Sequence, residues 1–259
     1  MPVVEYQKQG RIARITLNRP EALNAINSAV RRALRDAFMD FRQDKDLWVA
    51  IVTGAGDRAF SAGVDVKEVA QTTSDQQWDA FWGLEGYGAP ETDLHYYKPV
   101  IAAINGYCLG IACTLALACD FRLAVPEAGF GFPEVKRGMP TVIGTLRLVR
   151  AIGLSNALPL LLTGDIIPAQ EAWRIGLVHR IVPRERLLAE AEALAQSLLE
   201  NAPLAVWATK EVAVRSTEMP FDHAWRLGES LRYIVNQSQD AREGPRAWVE
   251  KRKPVYTGR

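Results

Sequence analysis

The sequence predicts an α/β protein in which a parallel sheet with crossover helices is followed by a helical last third. Between about residues 45 and 126, apolar runs typical of buried strands alternate with helical segments. That alternation indicates parallel strands joined by crossover helices. Beyond Thr141 the pattern becomes helical almost throughout. The 259 residues, of which 48% are hydrophobic, are enough to bury a sizeable core.

The chain opens with a predicted hairpin and an amphipathic helix. Two runs rich in β-branched residues, "VVEYQKQ" and "RIARITL", are separated by Gly10, which favours a turn between two strands. The next segment, "NSAVRRALRDAFMDFRQD", repeats apolar residues at helical spacing, with Asn27 or Ser28 as its expected N-cap. The residues at that spacing are Val30, Leu34, Phe38 and Phe41.

The segments that follow are shorter and more apolar. Residues 48–56, "WVAIVTGAG", predict a strand that ends in a glycine turn. Residues 98–110, "KPVIAAINGYCLG", predict a second buried strand that runs into small residues. Residues 113–120 then predict a helix, and residues 121–126 predict a further strand.

The last third of the chain contains a series of helical segments without an internal repeat. Their apolar residues recur at helical spacing, and glycine, proline or polar residues separate them. The segments are "IGTLRLVRAIG", "SNALPLLLTG", "PAQEAWRIG", "RERLLAEAEALAQSLLE", "PLAVWATKEVAVRS" and "PFDHAWRLGESLRYIVN".

Composition excludes several classes of partner and site. The net charge is +1 without a basic or acidic block, which argues against nucleic acid as a partner. Three clustered cysteines, no CxxC and scattered histidines predict buried thiols in a reducing compartment and no metal site. The N-terminus lacks a signal-peptide core, and no apolar run approaches the ~20 residues of a membrane span. We therefore expect a cytoplasmic protein with no membrane partner.

Two glycine-containing turns depart from plain core patterning. "AFSAGVD" comes just after the strand predicted at 49–53, and its small residues with Gly63 let a backbone approach a ligand closely. An ordinary strand-to-helix turn, with Asp65 near the helix start, explains this stretch as well. "NGYCLG" leads into a helix whose first N–H groups have no intrahelical partner and suit an anion or a developing oxyanion. A tightly packed core helix fits this second stretch equally well.

A carboxylate stands in a third unusual stretch, "GFGFPEVKRGMP". Glu134 follows Pro133 among glycines and aromatic residues. A carboxylate in such surroundings can be desolvated and tuned for proton transfer. The alternative is a surface glutamate that pairs with Lys136 or Arg137.

The order and spacing of these stretches resemble the crotonase superfamily, the enoyl-CoA hydratase/isomerase family. The resemblance covers nearly the whole chain, and so many ordered motifs are specific for the superfamily but not for one reaction. The matching segments are "LNRPEALNAIN" (17–27), "AFSAGVDVKE" (59–68), "KPVIAAINGYCLG…LALACD" (98–120), "FGFPE…G" (130–138), "TGDIIPAQEAWRIGLVHRIVP" (163–183) and "EGPRAWVEKRKPVYTGR" (243–259).

The resemblance implies a crotonase-like fold, with a ββα spiral core and a helical C-terminal trimerisation region. It places the CoA site and the active site in residues 1–200 and a helical region in residues 201–259. It also implies an acyl-CoA substrate, with coenzyme A as part of the thioester and no separate cofactor. Assembly as a homotrimer or a dimer of trimers is expected on the same ground.

The resemblance also assigns candidate site residues. The backbone N–H groups of Val64 and Ile111 would form an oxyanion hole that holds the thioester oxygen as an enolate forms. Many members have glycine where Ile111 stands, so we expect a reshaped acyl site. Trp78 and Trp82, four residues apart, either line the acyl pocket or pack on the core. The CoA contacts carried over are Ala22, Leu23, Ala62, Asp65 and Val66.

Thr114 marks a departure from the family's usual catalytic pair. Typical hydratases of the family carry two glutamates, which hold water and move its protons. The second corresponds to Glu134 and the first to Thr114. A threonine hydroxyl can hydrogen-bond a water molecule but cannot act as a carboxylate base near neutral pH. Glu134 alone could still move a proton from Cα of a 3-enoyl-CoA to its γ carbon and so shift the double bond.

Three functional hypotheses stay open. The first is a lyase or isomerase that hydrates or isomerises an enoyl-CoA, with Glu134 as acid/base. The second is a CoA-thioester hydrolase or a C–C bond-cleaving enzyme that uses the same enolate hole. The third is a CoA-binding protein with little catalysis, since Ile111 and Thr114 both depart from the family pattern at the active site.

Overall fold

The structure, a computed structural model, describes residues 1–71 and 97–259, so Trp78 and Trp82 lie outside the described residues. The strands are β1 (Val4–Gln9), β2 (Ile12–Leu17), β3 (Val49–Gly54), β4 (Ala59–Ser61), β5 (Val100–Ile104), β6 (Tyr107–Leu109), β7 (Phe121–Ala124), β8 (Gly129–Gly131), β9 (Ile167–Pro168) and β10 (Arg180–Ile181). The helices are α1 (Ser28–Gln43), α2 (Val66–Val69), α3 (Ile111–Ala118), α4 (Ile143–Thr163), α5 (Ala169–Arg174), α6 (Leu187–Leu199), α7 (Pro203–Arg215), α8 (Phe221–Val235) and α9 (Gln239–Val249).

The larger sheet has the strand order β1–β2–β3–β5–β7–β10. β1 and β2 are antiparallel and form the predicted hairpin around Gly10, whereas the later neighbours are parallel. Every residue of β3 and β5 is buried, as expected for parallel strands covered on both faces. Helix α6 packs on β3 and β5, and α1 packs on β1 and β2. The α/β class and the parallel sheet are therefore confirmed.

A second, smaller sheet has the order β4–β6–β8–β9. Its first three strands are parallel to one another, and β9 is antiparallel to β8. β4, β6 and β8 have three residues each. Because they are parallel, their carboxyl ends meet at one edge of the sheet. The stretches "AFSAGVD", "NGYCLG" and "GFGFPE" thereby place the residues that follow these strands side by side.

The helices follow the predicted segments with small shifts. Asn27 caps α1, since its side-chain Oδ1 accepts a hydrogen bond of 2.9 Å from the Val30 N–H. The helix predicted over residues 113–120 begins two residues earlier, at Ile111, directly after Gly110, which follows β6. The first two helical segments of the last third are joined in α4 across Gly153, whose backbone is non-helical.

Among the described residues, one helix, α4, is long and apolar enough to cross a membrane by length and composition, although it contains Arg147 and Arg150. Gly153 interrupts it with φ 74° and ψ 159°. An interrupted helical ladder leaves backbone groups that lipid cannot satisfy. Helix α4 also packs against α3, and its residues Leu148, Ile152, Leu160 and Leu161 belong to the hydrophobic core. One face of α4 therefore packs on the core, whereas Leu146, Leu154 and Leu162 of the same helix are exposed.

A buried lysine ties the end of α1 to the start of β5. Lys98 is 2% exposed, and its Nζ donates hydrogen bonds of 2.8 Å to the Phe41 carbonyl and 2.6 Å to the Asp44 carbonyl. Burial lowers the pKa of Lys98 to about 8. Between pH 8 and the ordinary value of 10.5, the unfolded chain holds this proton and the folded chain does not. Raising the pH through that range therefore increases the contribution of Lys98 to stability.

Replacing Lys98 with Met is expected to remove this pH dependence. The free energy of unfolding of the native protein, measured by urea denaturation, should rise relative to that of Lys98→Met between pH 8 and pH 10.5. The exposed Lys45 provides a matched control, because Lys45→Met removes a lysine without changing this buried site. A constant difference between the native protein and Lys98→Met across the range would contradict the prediction.

Candidate active site

The carboxyl ends of β4, β6 and β8 surround a cavity of about 320 Å³. The residues that follow these strands, within 62–64, 110–111 and 133–134, contribute to its wall. The other described lining residues are Arg31, Val66, Thr114, Arg137, Met139, Pro140, Thr141, Val142, Ile143 and Gly144. The cavity thus collects side chains and backbone from the three stretches that the sequence analysis singled out.

The first backbone donor at the cavity is the Val64 amide. The N–H of Ile26 donates to the Gly63 carbonyl at 2.8 Å, and the N–H of Asp65 donates to the Ile26 carbonyl at 3.0 Å. The Gly63 carbonyl and the Asp65 N–H, on either side of Val64, are therefore both hydrogen-bonded. The Val64 N–H itself has no acceptor within the described residues. Gly63 has φ +93°, and a Cβ there would lie 2.7 Å from the Leu109 carbonyl oxygen. Only glycine allows this approach of the two loops.

The second backbone donor is the Ile111 amide, at the first position of α3. Gly110 precedes it with φ 57° and ψ −124°, and the Gly110 N–H donates to the Gly131 carbonyl at 2.9 Å. The first N–H of a helix has no intrahelical acceptor and carries the positive end of the helix dipole. Within the described residues, the Ile111 N–H has no acceptor elsewhere either. It is suited to an oxygen that becomes negatively charged.

Glu134 lines the same cavity from the 3₁₀ turn Pro133–Arg137. Its Oε2 is buried and has no hydrogen-bond partner. Its carboxylate lies against Gly110, because a Cβ on that glycine would be 2.6 Å from Oε1. The turn is closed by Gly138 in the left-handed conformation, whose N–H donates to the Glu134 and Val135 carbonyls. The alternative of a surface glutamate paired with a neighbouring cation does not describe this side chain.

Thr114 lines the same cavity, one helical turn after the Ile111 amide. It is 3% exposed, and its Oγ1 donates a long hydrogen bond of 3.4 Å to the Gly110 carbonyl. A Cβ on Gly144 would lie 2.7 Å from this oxygen, so α4 begins directly against it. The hydroxyl stands in the cavity wall, where it can bind an oxygen but cannot replace a carboxylate base.

Glu134 is the only carboxylate among the described residues that line the cavity. Within the described parts of the chain, no cluster of three His, Cys, Asp or Glu side chains could hold a metal ion. The side chains that line the cavity therefore offer one carboxylate, the hydroxyls of Thr114 and Thr141, the guanidinium groups of Arg31 and Arg137, and an apolar remainder. With the two amides, that set is suited to removing a proton next to a carbonyl group.

The residues expected to contact CoA lie on the two loops next to the cavity. The Ala62 N–H donates to the Leu23 carbonyl at 2.9 Å, which joins these loops. Ala62 and Val66 line the cavity. Ala22 belongs to the preceding 3₁₀ turn and is not among the lining residues. The structure thus places Ala62 and Val66 in the cavity wall, whereas Leu23 joins Ala62 by a hydrogen bond and, like Ala22, is not a lining residue.

Asp65 has a structural partner. It caps α2 through the Lys67 N–H and accepts a hydrogen bond of 3.0 Å from Arg19 Nη1. The hydrogen bond from the Arg19 guanidinium lowers the pKa of the Asp65 carboxyl. Asp65 therefore holds the two loops in place as an ion.

Two supporting residues, Asn24 and Thr141, are absent from the sequence prediction. Asn24, 1% exposed, has φ +55°, and its Nδ2 donates to the carbonyls of Ala55 and Ala59 at 2.9 and 2.8 Å. It thereby fixes the loop in an uncommon left-handed conformation. Thr141 Oγ1 is buried and unpartnered at the cavity wall. The available signals were the first of the two asparagines in "LNAIN" and a single hydroxyl after the glutamate stretch.

Comparisons with known proteins agree with this geometry. The sequence profile of the enoyl-CoA hydratase/isomerase family matches residues 7–259. Carnitinyl-CoA dehydratase of Salmonella typhi is 41% identical over an alignment of 257 residues, and the match covers 97% of each chain. The crystal structure of enoyl-CoA hydratase from Bacillus anthracis superimposes with a TM-score of 0.93 at 33% identity, over 99% of this chain and all of that one.

A further solved structure gives the same result. Enoyl-CoA hydratase from Mycobacterium tuberculosis H37Rv superimposes with a TM-score of 0.91 at 39% identity, over the whole of both chains. A likeness of this extent covers both sheets and the helices of the last third. The fold is therefore crotonase-like, as the sequence resemblance implied, and the chain belongs to the enoyl-CoA hydratase/isomerase family.

Proposed function

We propose that this protein is an acyl-CoA enzyme that forms an enolate in the cavity at the ends of β4, β6 and β8, with Glu134 as its acid/base. One observation carries the proposal. The buried, unpartnered Oε2 of Glu134 shares that cavity with the backbone positions Val64 and Ile111. An acyl-CoA substrate is consistent with membership of the family.

The thioester oxygen is proposed to accept hydrogen bonds from the Val64 and Ile111 amides. Removing a proton from Cα moves negative charge onto that oxygen, and the amides stabilise the charge as it develops. One donor of this kind is worth roughly 2.7–4 kcal/mol of the barrier. Backbone donors work with any side chain, so the isoleucine at position 111 reshapes the acyl site without removing its donor.

A single carboxylate has to carry both proton transfers in this mechanism. In dehydration of a 3-hydroxyacyl-CoA, Glu134 takes the Cα proton, the C3–O bond breaks, and the same proton leaves with the hydroxyl as water. Hydration of a 2-enoyl-CoA is the reverse. We propose Thr114 as the residue that holds the water oxygen, since its Oγ1 is at the cavity wall. The names of the dehydratase and hydratase relatives support this reaction class.

Isomerisation is the second candidate, and the replacement of a glutamate by Thr114 favours it. Glu134 would take the proton from Cα of a 3-enoyl-CoA and return it at the γ carbon, so that no water is needed. A hydrolase, a C–C bond-cleaving enzyme or a CoA-binding protein with little catalysis would use the same cavity and are outcomes of the test below.

The CoA moiety is proposed to run along the loops that carry Ala22, Leu23, Ala62, Asp65 and Val66. We further propose assembly as a homotrimer or a dimer of trimers through the last helices. Those helices expose large apolar side chains, and Phe221 and Trp225 on α8 are 78% and 61% exposed. Light scattering on the purified protein would give the number of subunits.

Deuterium uptake at Cα tests the proposed function. Crotonyl-CoA, 3-hydroxybutyryl-CoA and 3-butenoyl-CoA are each incubated with the protein in D₂O, and the products are followed by mass spectrometry. Uptake at Cα with gain or loss of water supports a hydratase. Movement of the double bond with label at the γ carbon supports an isomerase. Binding of these thioesters without uptake would overturn the enolate mechanism for them and favour a binding protein.

A further inference from the structure

Thr141 carries a buried hydroxyl that the mechanism above does not use. Within residues 1–71 and 97–259, two buried side-chain oxygens have no hydrogen-bond partner, Glu134 Oε2 and Thr141 Oγ1. Both residues line the same cavity. The first oxygen is explained by proton transfer, whereas the second needs an explanation of its own.

The position of Thr141 is fixed by the start of α4. Its carbonyl accepts a hydrogen bond of 2.6 Å from Thr145 Oγ1. Its Cγ2 and the Oγ1 of Thr114 each lie 2.7 Å from the point where a Cβ on Gly144 would stand. The side chains of Thr141 and Thr114 are therefore neighbours across the small volume that Gly144 leaves open. Since Thr114 is one turn from the Ile111 amide, Thr141 stands close to the place proposed for the thioester.

An unpaired hydroxyl next to a bound substrate discriminates between acyl chains. A hydrocarbon chain would exclude water and give Thr141 no partner, so binding would cost free energy. A chain with an oxygen in reach would donate to Thr141 Oγ1 or accept from it. Sites built to hydrogen-bond a substrate oxygen reject analogues that lack it.

We propose that Thr141 is a specificity-determining residue that selects acyl chains carrying an oxygen close to the thioester. The proposal rests on the proposed function, because it requires an acyl-CoA in this cavity. It adds to that function a preference of the acyl site that neither Glu134 nor the oxyanion amides would create. The oxygen of a water molecule could also hydrogen-bond to Thr141 Oγ1. The test therefore has to distinguish a water oxygen from an oxygen of the acyl chain.

Binding constants measured without turnover test the proposal. In the Glu134→Gln background, calorimetry gives Kd for butyryl-CoA, both enantiomers of 3-hydroxybutyryl-CoA, and 4-hydroxybutyryl-CoA. These thioesters differ only in the hydroxyl group. Adding Thr141→Val is expected to weaken the preferred hydroxylated thioester about tenfold, the effect of one hydrogen bond with its desolvation. Butyryl-CoA should bind as before or more tightly. Thr141→Ser, which keeps the hydroxyl, should retain most of the preference.

The possible outcomes distinguish a failure of the role proposed for Thr141 from a failure of the proposed acyl-CoA function. Equal weakening of all thioesters by Thr141→Val, or no preference for any hydroxylated thioester, would overturn the selection of an acyl oxygen. An unchanged preference in Thr141→Val, together with slower hydration of crotonyl-CoA when Glu134 is intact, would assign Thr141 to water and also overturn it. Failure of every CoA thioester to bind would refute the proposed function itself. Melting temperatures of both variants show whether a loss reflects folding.

Discussion

Replacing Glu134 with Gln is expected to slow deuterium exchange at Cα by roughly 10²–10⁴-fold, the usual contribution of a positioned acid/base group. Glutamine has nearly the same size and keeps a carbonyl oxygen, but it cannot accept the proton. No other described residue that lines the cavity carries a carboxylate that could substitute for Glu134. The binding of CoA thioesters should change much less than the exchange rate, because the amides and the CoA loops are untouched.

The exchange rate is measured by mass spectrometry in D₂O under single-turnover conditions. Glu127→Gln is the matched control, since Glu127 is an exposed glutamate that pairs with Arg184 at 3.1 Å. That variant should exchange at the native rate. Native-like exchange in Glu134→Gln would assign the proton transfer to another group and would contradict the mechanism.

Replacing Gly110 with Ala is expected to have the second largest effect, about 100-fold on the same exchange rate. The new Cβ would lie 2.6 Å from Glu134 Oε1, so the carboxylate has to move. A displacement of about 1 Å in a catalytic group can cost about 100-fold. The positive φ of 57° adds strain of about 1–3 kcal/mol to the folded state. The Glu134 side chain is flexible, so the clash itself should cost activity more than stability.

Gly10→Ala is the control that separates backbone strain from displacement of the Glu134 carboxylate. Gly10 has φ +56°, and a Cβ there would meet nothing within 4 Å. Its replacement should lower the melting temperature through backbone strain and leave the exchange rate unchanged. Gly110→Ala should lower both. If the two variants lost stability to a similar extent and both kept native exchange, Glu134 would not depend on the space that Gly110 leaves.

The sequence predicted the larger sheet well and the smaller one not at all. β3 and β5 are continuously buried strands of six and five residues, and their apolar residues form a recognisable pattern. β4, β6 and β8 have three residues each, too few for a period of two to be visible. Their glycines and other small residues are typical of turns. The pairing that makes these segments strands involves residues distant in sequence.

The site shows the same division between local and long-range information. The motif positions identified Glu134, Thr114 and the two amides, and the structure brings all four to one cavity. The role of Asn24 depends on carbonyls 31 and 35 residues further along the chain, which no local pattern contains. Thr141 could not be selected from the sequence, because only the packing of α3 against α4 makes its hydroxyl buried and unpartnered.

The use of backbone amides as donors has a consequence for mutational scanning of this protein. On the proposed mechanism, Val64 and Ile111 act through N–H groups that any residue except proline supplies. Substitutions of similar size there should therefore be tolerated, while the glycines that precede them, Gly63 and Gly110, should tolerate almost nothing. A tolerance map read without the structure would rank the proposed oxyanion donors as dispensable and the residues beside them as essential.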